Sequence, residues 1–417
     1  MGIDIVMKKA LFFRLRHQKK EGLFFMTIKP TCEGVNHQKG GFELNDPLNL
    51  TQEVVVCEGG EELLFEFLSD ISSKDAIWDE RKAQLDRVSQ MYRVAGFLKR
   101  AARTQDCSGF LVFVWLHNVV TGEMRLKLRR ASFCRCRGCT LCQWRKTLYW
   151  LSQYLQVLPE LCLRYPTSKF LFATLTVPNC SVSELRSTIV AMNKGWVRFI
   201  QRKEMSHFHG WIRTTEVTKG KNGPLMAHPH FHILVLAKPG YFSNHYVKRD
   251  RWLALWQESM RDFSITQVDV RTAHDLMKVT KKARKSGLVG QEGAVGDARV
   301  LHEVEMPLDV NQLHRAGQRV GVEVLKYAVK PVDLLGKGVN DPESVEWFKY
   351  YTEQVHKLRF VATGGVFKKL FAKEPDSEAM VHLGEGLLPD EGEVEGSTMH
   401  FSWDRPIKKY RRVKGVT

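Results

Sequence analysis

A histidine-rich segment is the feature of this sequence with the clearest chemistry. Residues 228–232 read HPHFH and are followed by the apolar run 233–236. Side chains alternate across a β-strand, so His230 and His232 should point to the same side, about 7 Å apart. Two imidazoles on one strand face can bind a metal ion. The alternative is a pair of half-buried histidines bonded to backbone carbonyls, but three histidines in five residues favour the metal.

Glu216 is expected to lie on a partner strand of the histidines. Residues 211–218 predict a strand and residues 219–223 a turn, after which the histidine strand returns. If the turn centres near Gly223, Glu216 sits opposite His230 on the same face. By itself, a group of two histidines and one glutamate suggests zinc, manganese or iron.

A second candidate metal site is formed by cysteines. A predicted hairpin, with strands 110–115 and 124–130, brings Cys107 opposite Cys134, and a Cys-x-x-Cys knuckle follows. Four thiolates are the ligand set of a closed structural zinc site, which leaves no open position for catalysis. The alternative is a group of buried free thiols, and Cys136 is a substitute ligand. The expected zinc ligands are Cys107, Cys134, Cys139 and Cys142.

Two further groups of side chains carry weaker signals. Glu323, Tyr327 and Lys330 are spaced i, i+4 and i+7, so they share a face if this segment is helical, and Pro331 stops or kinks that helix. A tyrosine beside a lysine and a glutamate is more often a surface group. The return strand of the hairpin also has a basic face, formed by Arg125, Lys127 and Arg129. This face either is an ordinary solvated face or contacts DNA phosphates.

The composition favours a nucleic-acid partner. The chain has 417 residues and a formal net charge of +17, a field that attracts polyanions. No segment approaches the roughly 20 apolar residues of a membrane helix, and we predict no membrane partner. No targeting signal is recognisable. Clustered cysteines indicate metal binding in a reducing compartment, so we predict a cytoplasmic protein.

The predicted fold class is α+β, with an N-terminal zinc-binding cysteine region. Residues 73–103 predict one polar helix, and residues 278–296 a basic, glycine-rich insertion. We divide the chain into a poorly defined N-terminal extension (1–72), a region with the helix, hairpin and four-cysteine zinc site (73–150), a domain that carries the histidine strand (151–373) and a flexible tail (374–417).

The order of the motifs resembles that of a known family. A cysteine cluster, a Thr-Leu-Thr strand at 174–176, HPHFH and finally E-x-x-K-Y-x-x-K at 323–330 resemble the rolling-circle replication initiators of plasmids, in the HUH endonuclease superfamily. The resemblance covers about residues 73–371 and leaves out residues 1–70, the basic insertion and the tail. The family's knuckle usually has proline where this chain has Thr140, a difference that does not affect the zinc prediction.

The resemblance implies a fold and an activity. The fold would be a central antiparallel sheet with flanking helices, the HUH nuclease fold, with the tyrosine helix beside the histidines. The activity would be strand-specific nicking at the double-strand origin, leaving a 5′-phosphotyrosyl link and a 3′-OH primer. His230 and His232 would be ligands of Mg²⁺ or Mn²⁺. Glu216 is our third ligand, with His228 as the alternative.

The resemblance also assigns roles near the tyrosine. Tyr327 would be the nucleophile, and Glu323 matches the position that activates water for termination in the single-tyrosine branch. A tyrosine with a pKa near 10 is only about one part in a thousand phenolate at neutral pH, a cost of roughly 4 kcal/mol. Lys330, or Lys326 if the face is rotated, would offset part of that cost or contact DNA.

Partners and rival functions follow from this assignment. The partners would be plasmid origin DNA, single-stranded DNA at the nick, and a host helicase and polymerase. A relaxase or transposase of the same superfamily is one alternative, and strand transfer without replication would reveal it. A zinc-containing DNA-binding regulator with structural histidines is another, and metal-dependent cleavage of a supercoiled origin plasmid would exclude it.

Overall fold

The computed structural model describes most of the chain after residue 65. The predicted basic insertion and the residues Lys326, Tyr327 and Lys330 lie outside the described part. The described residues fall into two compact units, divided between Glu66 and Phe67. They are 55–56, 62–63, 66–273, 308–325, 331–371, 374–383 and 392–414.

The strands and helices of the described residues are numbered in chain order. The strands are β1 (Val55–Val56), β2 (Glu62–Leu63), β3 (Phe110–Asn118), β4 (Met124–Ala131), β5 (Lys169–Thr176), β6 (Cys180–Ser181), β7 (Phe208–Lys219), β8 (Met226–Ala237), β9 (Val268–Thr272), β10 (Val361–Gly365), β11 (Glu393–Asp404) and β12 (Lys409–Val413). The α-helices are α1 (Leu68–Ile71), α2 (Ile77–Val94), α3 (Leu98–Asp106), α4 (Thr140–Arg164), α5 (Leu185–Ile200), α6 (Pro239–Ser243), α7 (Arg249–Met260), α8 (Leu308–Val324), α9 (Pro331–Leu335), α10 (Pro342–Gln354) and α11 (Ser377–His382).

The larger sheet carries the histidine strand at its centre. Its order is β10-β7-β8-β5-β9, its neighbouring strands are antiparallel, and β6 pairs with β8. The apolar run 233–236 is buried on both faces because helices cover both. Leu234 and Leu236 pack in the same core cluster as α4 and α8, and Ile233 and Val235 in the same cluster as α5 and α7. The α+β prediction, with antiparallel sheets and flanking helices, is confirmed.

The tail is ordered, so the prediction of a flexible tail is wrong for its described residues. β11 pairs with both β3 and β12 and completes a four-stranded sheet of order β12-β11-β3-β4. Phe401 and Tyr410 are fully buried in it. Arg145 on α4 also donates hydrogen bonds to the carbonyls of Met380 (2.7 Å) and Val381 (2.8 Å) on α11. The charged composition of the tail hid these apolar anchors.

Three predicted boundaries also differ from the structure. The predicted helix 73–103 is a short 3-10 turn followed by α2 and α3, because Gly96 between them adopts φ +86°, a left-handed conformation that favours glycine. The predicted boundary between residues 150 and 151 falls inside α4, which links the cysteine region to the large sheet. The second compact unit also begins earlier than predicted, at Phe67.

Helix α8 packs closely against α4 and ends beside the histidine strands. A Cβ atom added at Gly321 would overlap the ring of Tyr154, and one at Gly317 would lie 2.7 Å from the ring of Phe170. The Tyr154 hydroxyl donates to the Gly317 carbonyl (3.0 Å). These two glycines therefore let α8 approach the sheet, which fixes the position at which the helix ends.

Candidate metal and nuclease site

Glu216, His230 and His232 form one cluster. The pairing of β7 with β8 puts Glu216 directly opposite His230, and the predicted register is confirmed. One ligand atom from each of the three side chains lies within 4.8 Å of the other two. Glu216 and His230 are buried and His232 is half-buried, so the group is enclosed by the fold.

The imidazoles have convergent Nε2 atoms. Nε2 of His232 lies 2.8 Å and Nε2 of His230 3.5 Å from Oε2 of Glu216. The Nδ1 atoms have other partners: that of His230 lies 3.2 Å from the His228 carbonyl, and that of His232 3.2 Å from Oγ1 of Thr174. The partners at Nδ1 orient both rings and leave each Nε2 atom available to bind a metal ion, as is usual for metal-binding histidines.

The carboxylate of Glu216 is held in its charged form. Burial raises its pKa, but hydrogen bonds from His230 and His232, and their charges, outweigh burial and hold that pKa well below the usual range. A buried anion facing two imidazoles needs a cation. The set of two nitrogens and one oxygen suits Mn²⁺, Fe²⁺ or Zn²⁺, and a carboxylate also suits Mg²⁺. The donor chemistry therefore fits a divalent metal.

His228 lies outside this three-residue cluster. Its ring centroid is 5.3 Å from that of His230, and its cross-strand partner is Thr218. Burial and the nearby charges of His230 and Lys221 lower the pKa of His228. Its Nδ1 is buried with no hydrogen-bond partner among the described residues. Glu216 rather than His228 is thus the third member of the geometric cluster.

The C-terminal end of α8 is attached to the same part of the sheet. Oγ1 of Thr214 donates to the carbonyl of Val324 (2.7 Å), and Thr214 is the cross-strand partner of His232. Glu323, in the last turn of α8, is half-buried. Sequence reasoning missed Thr214 and Thr174; their positions on the histidine face, given by strand alternation, would have identified both.

The cysteine cluster has the dimensions of a zinc site. Sγ of Cys107 lies 3.6 Å from Sγ of Cys139 and of Cys142, and Sγ of Cys134 lies 3.7 Å from that of Cys142. A tetrahedron with Zn–S bonds of about 2.3 Å has S–S edges of about 3.8 Å. The four residues are buried and form one ligand group, from which Cys136 is absent. The cluster can hold a metal ion.

Backbone amides donate hydrogen bonds to the sulfurs of this cluster. Sγ of Cys142 accepts from the N–H of Arg135, and Sγ of Cys139 from the N–H of Cys142, both at 3.3 Å. Hydrogen bonds with Cys134, Cys139 and Cys142 lower the pKa of Cys107, whereas burial raises that of Cys139. A bound divalent cation would stabilise the thiolate form of these residues.

The predicted basic face of β4 is engaged within the protein. Arg125 makes a two-point ion pair with Glu393 on β11 (2.7 and 3.0 Å), and Arg129 pairs with Glu395. Lys127 is only 7% exposed. Sequence alone could not show that the acidic residues of the tail meet this face. DNA contact by these three residues remains a prediction.

Comparisons with known proteins identify the family. A family model described as "Replication protein" matches residues 125–411. "Protein rep" of Lentilactobacillus hilgardii is 35% identical over 322 residues, which are 76% of this chain and 88% of the relative. "Protein rep" of Lactiplantibacillus plantarum is 27% identical over 80% of this chain and 94% of its own. No solved structure matches. The chain belongs to the replication protein family.

Family membership confirms the predicted function as a plasmid rolling-circle replication initiator. Initiators of this family are nicking endonucleases, and a replication initiator binds origin DNA. The family match continues to residue 411, beyond the predicted end at about residue 371, because the tail is part of the second sheet. None of the helices in the described ranges has the length and apolar composition needed to span a bilayer.

Proposed function

We propose that this initiator nicks one strand of the plasmid double-strand origin by a metal-assisted attack of Tyr327. The metal is Mg²⁺ or Mn²⁺, bound by Glu216, His230 and His232, on an HUH nuclease fold. The observation that carries the proposal is the convergence of these three side chains at the end of α8. Tyr327 follows Val324 by three positions in the sequence, a reach of at most roughly 10 Å.

The proposed nicking reaction exchanges one phosphodiester bond for another. The Tyr327 oxygen attacks the scissile phosphorus, the P–O3′ bond breaks, and the 3′-oxygen leaves as a hydroxyl after it gains a proton. The 5′-phosphotyrosyl link retains the free energy for rejoining. A bound divalent cation would screen the phosphate charge and polarise its oxygens. Lys330 or Lys326 lowers the cost of forming the phenolate or holds the phosphate.

Thr174 and the His228 carbonyl orient the two histidines. The four-cysteine cluster holds structural zinc in this proposal, and a host helicase and polymerase act at the nick, where the 3′-OH is the primer.

A relaxase or transposase would use the same site, so strand transfer without replication distinguishes those functions from replication initiation. A DNA-binding regulator would not form a covalent adduct.

A conservative change at Glu216 tests the metal site. Glu216→Gln keeps the shape of the side chain but removes its charge, so we expect Mn²⁺ affinity and nicking each to fall by at least about 100-fold. Mn²⁺ binding is measured by electron paramagnetic resonance, and nicking on a supercoiled plasmid that carries the replicon. Glu353→Gln, at an exposed position of α10, is the matched control. Unchanged Mn²⁺ binding by Glu216→Gln would contradict the assignment.

A change at Glu323 tests the termination step separately. A carboxylate four residues before Tyr327 in the sequence can act as general base for the water that resolves the last intermediate. Glu323→Ala is therefore expected to nick at a rate within about 3-fold of wild type, while release of the final covalent complex slows by about 100-fold or more. The measurement follows the adduct over time on denaturing gels. Loss of nicking itself would argue against this role.

A further inference from the structure

A basic cavity lies between the cysteine knuckle and the edge of strand β7. Its volume is about 280 Å³. Arg135 and Arg137 alternate with the cysteines of the knuckle and line one wall, and Arg100 and Arg103 of α3 line another. The cavity also reaches Thr215, the residue before Glu216. The cavity therefore adjoins the cysteine knuckle and reaches the strand that carries Glu216.

The charge of the cavity is unbalanced. Besides the four arginines, Lys146 and Lys357 line it, whereas Glu374 is the one carboxylate of its lining. Glu374 is already paired with Lys146. The excess of positive charge suits an anion, and guanidinium groups suit a phosphate because they present several N–H donors in one plane.

Two hydroxyl groups in the lining are unsatisfied. The Tyr351 hydroxyl and Oγ1 of Thr215 are buried and have no hydrogen-bond partner among the described residues. Each residue is only 1% exposed. A buried hydroxyl without a partner is costly, so this cavity has donors available for an acceptor that the described residues do not supply.

The fold holds the arginines in place. Arg137 donates to the Leu358 carbonyl and lies 4.2 Å from the ring centroid of Phe360, and Arg103 donates to the Cys134 carbonyl. Arg135 has a left-handed backbone (φ +55°), and its N–H donates to Sγ of Cys142. This conformation is strained for a non-glycine residue, and the hydrogen bond to the cysteine cluster compensates for the strain.

We propose that this cavity binds a phosphodiester of the single-stranded DNA substrate, near the nicking site. The proposal deepens the proposed function and rests on it for the identity of the DNA. The arginines neutralise the phosphate, and the Tyr351 and Thr215 hydroxyls donate to its oxygens. The cysteine knuckle thereby acquires a DNA-binding role, because it presents Arg135 and Arg137.

The test is the salt dependence of binding to a fluorescein-labelled 20-nucleotide thymidine oligomer, followed by anisotropy. Loss of one phosphate contact reduces the slope of log K against log [salt] by about 0.7 for single strands. Arg135→Gln should show this reduction and about 5-fold weaker binding. Tyr351→Phe should weaken binding about 5-fold with an unchanged slope, because it removes a neutral donor. The melting temperature of Tyr351→Phe should not fall, since the hydroxyl has no hydrogen-bond partner within the described ranges.

Arg249→Gln is the charge-matched control, because this side chain is 71% exposed on α7 and does not line the cavity. An unchanged slope for Arg135→Gln, or a lowered melting temperature for Tyr351→Phe, would overturn the proposal. The proposal would also fail if free dTMP raised the melting temperature of the protein as much as the oligomer does. The cavity would then bind a nucleotide and not a DNA strand. Binding is measured without nicking, so a failure of the proposed nuclease activity would be seen separately.

Discussion

Replacing Tyr327 with phenylalanine is expected to abolish nicking and the covalent protein–DNA adduct. The substitution removes one oxygen atom, and without it no bond to phosphorus can form. We expect the nicking rate to fall by at least about 10⁴-fold, as when a nucleophile is removed from other enzymes. DNA affinity should remain within about 2-fold of wild type, because phosphate contacts dominate it.

The adduct is detected with an oligonucleotide labelled at its 3′ end, since the strand downstream of the nick keeps the 5′-phosphotyrosyl link. Tyr350→Phe is the matched control, because this half-exposed residue on α10 is an alternative nucleophile by residue type. Tyr351 is a poor candidate, since burial raises its pKa well above the usual range and its ring stacks on Trp347. Adduct formed by Tyr327→Phe but not by Tyr350→Phe would reassign the nucleophile.

Replacing Cys142 with serine is expected to release zinc and destabilise the protein. Sγ of Cys142 contacts two other cysteine sulfurs and accepts a backbone hydrogen bond, so it is central to the cluster. If the four thiolates share a binding free energy of about 10–16 kcal/mol, loss of one costs about 3–4 kcal/mol. Bound zinc should fall well below one equivalent, and the melting temperature should drop by several degrees.

Zinc is measured by atomic absorption and stability by thermal unfolding. Cys136→Ser is the matched control, since Cys136 is buried in the same knuckle but absent from the four-sulfur group. It should retain about one equivalent of zinc. A Cys142→Ser protein with full zinc, or a Cys136→Ser protein without it, would show that the ligand set is wrong.

Short-range patterns explain why both metal clusters were predictable from sequence. The spacing of His230 and His232 fixes their common face once the segment is a strand, and one hairpin turn sets Glu216 opposite His230. The Cys139-x-x-Cys142 knuckle and the β3–β4 hairpin likewise bring their cysteines together through local chain geometry. Each inference depends on a strand period of two and on a single turn.

Long-range contacts explain the errors. The tail carries many charges, which suggested a solvated segment, yet Phe401 and Tyr410 are buried at positions that only pairing with distant strands creates. That pairing also brings Glu393 to Arg125, so a face that looked open for DNA carries an internal ion pair. No local pattern encodes which acidic segment meets which basic strand.

The candidate ligand types, the shared face of the histidines and the family follow from residue identity and spacing alone. The surroundings of these residues depend on tertiary packing. Thr214 on β7, the neighbour of the histidine strand, binds the end of α8, and Arg135 and Arg137 share a cavity with Tyr351 and Thr215. These residues come from separate elements, and only the packing of helices against the sheets brings them within reach of one another.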